Sequence, residues 1–587
     1  MHPPLSTPAI RVAPNKPAKP SPSNKAAARP GCGDTVPRPL HGRFTSTGLI
    51  VALAWLATPA LARAAEPPGQ TAQTGAWIGS NYTPAYAANQ VQFWHEFKPD
   101  VIATELAAAH RHFGINSLRV YLHYINYRDD RENFLGNLGK FIGLCDRAGI
   151  KPGFVFFDDC WNHKDISLKT EAPVPGRHNG RWAAVQDVDR KDENLPLFEA
   201  YVSDIVRQYA NDPRVHWWEI YNEPNRSDRF TELLCQKGFA WVKAQQPTQP
   251  VICCWDDNPQ TEIVDAHNYT DQFAPGGSWD QQAEMNPAKG CVITEAGARW
   301  YAGKPASNGS PCEVIHWLKR RKAQAKYLPG VYLCWELMVG HSNCRWYWGT
   351  PDGAAEPPVP WCGLLFPDGT PVSYAEAEAV RSYATGQTKA LLFEDFEECS
   401  PPAAPRDPAG WRRYAGPAGG SGSRWCALAA NEKIVAGGST WQDYVVEATV
   451  MLRDEVNQGN AGICFRASQP GTGVDEITGY YAGFNGSRLY VGRMENNWLE
   501  LANVDLTTQP GKVTAGSWNL LRVAVMGDRI QVWLNPGVGR TGPLVEVRDT
   551  KPAIAQGGIA LRTHNTAAWF DDLVVLPIEV IATGPEK

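Results

Sequence analysis

The sequence predicts an α/β chain in two parts, a (β/α)8 TIM barrel followed by an all-β sandwich of jelly-roll type. Three observations carry this. From residue 74 to about 384, short apolar runs alternate with amphipathic helical patterns, as repeated βα units do. The apolar runs number eight. From near Leu391 the helical patterns stop, and alternating strands with turn punctuation take over.

In chain order, the barrel strands are expected at Ala76 to Tyr82, Ser117 to His123, Lys151 to Asp158, Val215 to Glu223, Pro250 to Trp255, Ile263 to Tyr269, Cys291 to Gly297 and Gly330 to Leu337. Helical periods fall between them at Val101 to Phe113, Phe134 to Ala148, Leu197 to Ala210 and Glu313 to Tyr327, with a closing helix at Tyr374 to Tyr383. A doubly wound open sheet is the alternative, but no Gly-rich phosphate turn follows any of the strands. In a closed barrel, chemistry belongs at the carboxyl ends of the strands.

At 587 residues the chain is long enough for two large domains. Residues 1–65 read as a secretory leader. A Pro/Ala/Ser-rich, basic stretch precedes an apolar run from Gly48 to Ala62, which ends at a small-residue cleavage site, Ala62-Arg-Ala64. That run is too short to span a bilayer. The expected product is secreted or periplasmic, with no stable membrane insertion after leader removal. A net charge of -5 and no basic run beyond the leader exclude nucleic acid as the expected partner. The 14 cysteines include no Cys-x-x-Cys spacing, and no His-Glu-x-x-His occurs, so no metal site is expected and no cofactor is required. Cys344 with Cys362, and Cys399 with Cys426, flank loops and are the pairs expected to bridge in an oxidising compartment. The 23 tryptophans suit a sugar ligand, whose C–H faces stack on indoles.

Two strands end in glutamate with turn residues behind. Val215 to Tyr221 is rich in β-branched and aromatic residues and stops at Asn222-Glu223-Pro224, where Pro224 disfavours helix at the residue before it. Val292-Ile-Thr-Glu295-Ala-Gly297 ends similarly. Two carboxyls about 5 to 5.5 Å apart are what retaining glycoside cleavage needs, one as acid and one as nucleophile.

With these motifs, residues 74–384 resemble the clan A glycoside hydrolases, which include the cellulase family, family 5. The resemblance implies Glu223 as acid/base, Asn222 as donor to the sugar 2-hydroxyl and Glu295 as nucleophile. It places Arg119, in Asn116-Ser-Leu-Arg-Val-Tyr121, beside that nucleophile. His267-Asn-Tyr269 matches the His-x-Tyr of strand six, and Trp335 the sugar platform of strand eight. Arg119 is expected to keep Glu295 ionised, while aromatic walls raise the pKa of Glu223. Two long loops, 158–195 and 338–372, carry further candidate cleft residues, among them Trp161, His163, Trp182, Trp346, Trp348 and Trp361.

After a linker at 385–390, residues 391–577 resemble the concanavalin-like domains of the 3-keto-glycoside hydrolase group, through Trp441-Gln-Asp-Tyr444, Ala461-Gly-Ile-Cys-Phe-Arg466, Gly479-Tyr-Tyr481 and Trp569-Phe-Asp-Asp572. Such a resemblance allows a structural Ca2+, with Glu394, Asp395 and Asp571 as candidates; the other reading is solvated surface acids. The functional expectation is an exported retaining β-glycosidase acting on a β-linked glycan of the cellulose, xylan or mannan kind. The sandwich is expected to fold alone and bind carbohydrate. Alternatives are a non-catalytic glycan-binding protein on a glycosidase scaffold, and a sandwich with its own hydrolytic activity.

Overall fold

The computed structural model describes residues 76–579, apart from 161–162, 170, 179, 255–257, 271, 300–308, 397–410, 416–424, 454–458, 510–512 and 514. Eight parallel strands form the barrel: β1 (Trp77–Asn81), β2 (Ser117–Tyr121), β3 (Lys151–Asp158), β4 (Trp218–Asn222), β5 (Val251–Ile252), β6 (Val264–Asn268), β7 (Cys291–Ala296) and β8 (Gly330–Glu336). They pair in the order β5-β4-β3-β2-β1-β8-β7-β6, and a single parallel bridge, Cys254 to Asp265, joins the two ends. Seven of the eight reproduce the expected strands closely. The fifth, expected over Pro250 to Trp255, is reduced to two residues, so the barrel wall is thinnest between β5 and β6.

The strands are buried on both faces, as a packed barrel requires. The bands of β2, β4, β7 and β8 contain no exposed residue. Helices start and stop where side chains allow. Asp228 caps the helix Arg229–Ala244 by accepting from the Phe230 and Thr231 amides, and Ser310 with Glu313 forms a capping box on Pro311–Arg320. The closing helix, Tyr374–Thr385, begins at Ser373 and ends at Gly386, whose φ of 71° suits glycine.

The remaining strands are β9 (Leu392–Glu394), β10 (Arg412–Ala415), β11 (Cys426–Leu428), β12 (Lys433–Ala436), β13 (Tyr444–Leu452), β14 (Asn460–Ser468), β15 (Thr478–Phe484), β16 (Arg488–Glu495), β17 (Trp498–Asp505), β18 (Trp518–Met526), β19 (Arg529–Leu534), β20 (Val545–Arg548), β21 (Gly558–His564) and β22 (Ala568–Pro577). They form two antiparallel sheets, β10-β12-β21-β14-β15-β16-β17 and β11-β22-β13-β18-β19-β20, with β9 beside β22. Phe465, Val450, Leu521 and Phe570 lie in the core between them. The expected jelly-roll sandwich is therefore present.

One expectation needs correction. Cys344 and Cys362 are buried free thiols and form no bridge; both lie in the barrel core, where they act as small apolar side chains. Of the other expected pair, Cys399 lies outside the described residues. The sandwich packs against the barrel. Val574 and Leu576 of β22 belong to the barrel's own apolar core. Glu447 of β13 accepts hydrogen bonds from the Ser373 hydroxyl (2.8 Å) and the Tyr374 and Ala375 amides (2.7 and 3.2 Å), capping the closing helix from the other domain.

Candidate active site

Side chains of β1, β2, β4 and β7 converge on a buried guanidinium. Arg119, from the middle of β2, has no solvent exposure. It forms a two-pronged pair with Glu219 of β4 (2.8 and 2.5 Å) and donates to Glu295 of β7 (2.8 Å), Asn222 (2.6 Å), Asn81 (3.1 Å) and Tyr121 (2.7 Å). A planar fork of donors is what several fixed acceptors require, and lysine could not replace it.

Glu295 is thereby fixed on both oxygens. Arg119 and Tyr121 (3.3 Å) donate to Oε1, and the Tyr269 hydroxyl donates to Oε2 at 2.5 Å. Tyr269 is itself wedged by the β8 loop, with Trp348 edge-on at 5.0 Å and Trp361 stacked at 6.1 Å. Glu223 sits just past the end of β4 with a φ of 40°, a left-handed conformation unusual for a non-glycine residue ahead of proline. Its carboxylate meets His267 Nδ1 at 2.7 Å and the Cys160 thiol at 2.9 Å. His267 Nδ1 also lies 3.3 Å from Glu295, so the imidazole stands between the two carboxylates. One atom from each of Glu223, His267 and Glu295 lies within 4.8 Å of the other two.

These charges set the protonation pattern. Burial would lower the pKa of His267, but Glu295 and Glu223 outweigh it and raise it to about 9. Burial would raise Glu223, but the hydrogen bond and charge of His267, helped by Cys160 and Arg119, hold it down at about 2. For Glu295 burial dominates over His267 and Arg119, and its carboxyl is raised. This reverses the sequence expectation, in which Arg119 held Glu295 down and Glu223 was raised. The reason is His267, which the motif placed as a wall of the site, and which here carries a positive charge directly against Glu223.

The pocket above this cluster has a volume of about 290 Å3 and is lined by Glu223, Glu295, Asn222, Cys160, Trp182, Trp335 and Trp348. Trp335 packs against Trp182 at 5.3 Å, and its indole N–H donates to Cys344. The two long loops also bond each other: Asn343 donates to the carbonyls of Val174 and Arg177 (2.8 and 2.9 Å), and Gly353 to that of Pro175 (2.7 Å).

The structure thus gathers Glu223, Glu295, Arg119, Asn222, His267, Tyr269, Trp335 and Trp182. His163 stands apart; its ring nitrogens bond the Asp159 and Val185 carbonyls within its own loop. Trp161 lies outside the described residues. Sequence reasoning missed Glu219, Asn81 and Cys160. The signal for Glu219 was a charged residue inside an otherwise apolar buried strand; Asn81 ends β1 and Cys160 follows β3, places where barrel sites are built. Among the described residues, the clusters with metal-ligand spacing are Glu223-His267-Glu295 and Cys254-Asp265-His267. Both share His267. The candidate acids of the sandwich are not gathered into such a cluster, and Asp395 pairs with His316 at 3.0 Å.

Residues 406–576 match the family model of the 3-keto-alpha-glucoside-1,2-lyase-like domain, in line with the resemblance drawn from the sandwich sequence. No curated protein matches the chain. Among solved structures, the chain is similar to the endo-beta-1,4-mannanase from Thermotoga petrophila, at 13% identity over 79% of this chain and 97% of that one, with a TM-score of 0.34. It is similar to the glycoside hydrolase family 5 mannosidase from Rhizomucor miehei, at 13% identity over 52% and 91%, TM-score 0.35. It is also similar to the carbohydrate binding module CBM66 from Bacillus subtilis, at 16% identity over 28% and 95%, TM-score 0.23. At such identities and scores, the chemistry of this site has to be read from its own side chains.

Proposed function

We propose that this chain is an exported retaining β-glycoside hydrolase acting on a β-linked oligosaccharide or polysaccharide of the cellulose, xylan or mannan type. The observation that carries the reading is the Glu223–Glu295 pair at the ends of β4 and β7, with oxygens within 4.8 Å of each other. That separation suits direct attack and leaves no room for an intervening water.

In this reading Glu295, oriented by Arg119 and Tyr269, attacks the anomeric carbon. The bond from that carbon to the leaving oxygen breaks, and Glu223 gives that oxygen a proton. A water then attacks the same carbon, Glu223 takes its proton, and the bond to Glu295 breaks, so configuration is retained. In the resting site the proton sits on His267, 2.7 Å from Glu223. A sugar displacing water from Glu223 raises the carboxyl's proton affinity, so the proton can pass along that hydrogen bond. Asn222 is placed to donate to the sugar 2-hydroxyl, and Trp335, Trp182 and Trp348 form the walls. Export is supported by the apolar run from Gly48 to Ala62.

The test is proton NMR of products in the first minutes of hydrolysis of a β-linked glucan or mannan. The equatorial anomer should appear first; the axial anomer first would contradict retention. Glu295→Ala should lose activity by about a thousandfold or more. Azide should partly restore it and give a product of inverted configuration.

A second activity in the sandwich has the family match to residues 406–576 behind it. Full-chain Glu295→Gln protein assayed on 3-keto-α-glucosides tests it, and product release there would assign chemistry to the sandwich.

A further inference from the structure

A second cavity, also of about 290 Å3, opens where the sandwich meets the barrel, and no step of the proposed reaction uses it. Its sandwich side follows from strand alternation. In β22, Ala568 and Phe570 point into the sandwich core, so Trp569 and Asp571 face outward. The register places Met451 of β13 opposite both Trp569 and Trp518 of β18. One outward row of the sheet is therefore Trp518, Met451, Trp569. Trp425, just ahead of β11, completes it by stacking on Trp569 with centroids 4.3 Å apart and planes at 20°, and it meets Trp518 edge-on at 6.4 Å. Arg453 lies 3.7 Å over the Trp569 ring. The barrel side is polar, contributed by Glu313 and by the buried pair of Arg299 with Glu376.

Elsewhere on this face Glu447 and Arg522 bond the barrel's closing helix and the segment ahead of it. At the cavity Trp425, Trp518 and Trp569 are half-exposed. The Trp425 indole N–H is buried and has no hydrogen-bond partner among the described residues. Flat aromatic surface flanked by carboxylates and a guanidinium matches a neutral pyranose. Its C–H face stacks on indole, and its vicinal hydroxyls donate to acids and accept from arginine. More carboxylates than cations line the space, which disfavours acidic sugars.

We propose that this junction cavity is a second binding site, for a neutral mono- or disaccharide, with Trp425, Trp569 and Trp518 as its platform. Its volume is similar to that of the barrel pocket. The site would hold a sugar against both domains at once, and it stands whether or not the barrel is a hydrolase.

The experiment is calorimetric titration of full-chain Glu295→Gln protein with cellobiose and with β-1,4-mannobiose at millimolar concentration. At least one should bind at a site that Trp425→Ala or Arg453→Ala weakens by tenfold or more. With the barrel pocket also occupied, the stoichiometry should fall from two to one. Binding of one equivalent that neither substitution alters would overturn the junction site and leave the barrel reading intact. One equivalent lost in both variants would establish the junction site and count against the barrel. Absence of binding by both sugars would overturn the proposal. Arg453 is exposed at the rim, so Arg453→Ala serves if Trp425→Ala does not fold, and thermal melting of each variant checks this.

Discussion

At Arg119 the hydrogen bonds of four strands meet on one unexposed guanidinium, and this makes its loss a matter of folding as well as chemistry. Arg119→Met would leave Glu219 and Glu295 buried without their counter-charge, a change of the kind that costs about 3 to 5 kcal/mol. Urea denaturation should show that loss. Adding Glu219→Gln should recover part of it, because burial already raises the pKa of Glu219 to about 7. An additive double mutant would mean that the pair is not coupled. The charge on His267 gives a pH prediction. Below about 9 the imidazole keeps the proton that Glu223 needs, so activity should fall on the alkaline side as pH rises through that value. On the acid side it should fall as Glu295 takes up a proton, at a pH above the usual carboxylate range. In His267→Gln the alkaline limb should move to lower pH, because Glu223 alone then holds the proton, and kcat should drop by about a hundredfold. An unshifted limb would remove His267 from the proton path. Glu223 and Glu295 were legible because each sits at a strand end, and Arg119 because it lies in the stretch Asn116 to Tyr121 that forms β2. The protonation order was not, since it depends on a 2.7 Å contact between residues 44 positions apart.

Among the elements, the barrel strands were legible from their apolar runs, and the long central strands of the sandwich from period-two alternation. The strands β9, β10, β11, β12, β17 and β20 show no such period. Five of these have three or four residues, too few to show a period. The eight-residue strand β17 is an edge whose Leu499 and Glu500 are both exposed, so its pattern is that of a surface segment. The two long loops were legible as loops from their length, but their mutual contacts were not. Gly176 is the tightest of these. Its φ is 82°, and a Cβ there would fall 2.1 Å from the Pro351 carbonyl oxygen, which is backbone and cannot turn aside. Gly176→Ala should therefore push the two loops apart and lower kcat/KM by about tenfold, the scale expected when a loop that completes a site is displaced. The melting temperature should stay nearly constant, because the contact lies outside both cores. A variant with wild-type kinetics would show that loop contact does not shape the pocket.

For the whole molecule, the sequence suggested two separable domains joined at 385–390, and composition does change there. Residues distant in sequence nevertheless bind the two parts together. Glu447 and Arg522 form a buried ion pair (2.7 Å) on neighbouring sandwich strands. The pair is turned toward the barrel: Arg522 donates to the carbonyls of Pro371 and Val372 (3.3 and 3.2 Å) and lies 4.3 Å over the Tyr374 ring. Glu447 in turn caps the first turn of the closing helix, a place where a carboxylate is favoured by both the free amides and the helix dipole. A chain cut near Thr388 would lose that cap and the apolar cover of Val574 and Leu576, and it would expose barrel surface built to be dry. The barrel fragment should therefore melt well below the full chain or fail to remain soluble. A gentler version is Glu447→Ala in the intact chain. It leaves Arg522 buried and unpaired and strips the helix cap, so about 3 to 5 kcal/mol of stability should be lost. Arg522→Met on the Glu447→Ala background should restore part of it by removing the stranded charge. Thermal and urea melts of the three proteins decide the matter. If Glu447→Ala melted within a degree or two of wild type, the interface would be a contact of convenience, and the barrel could be used without its sandwich.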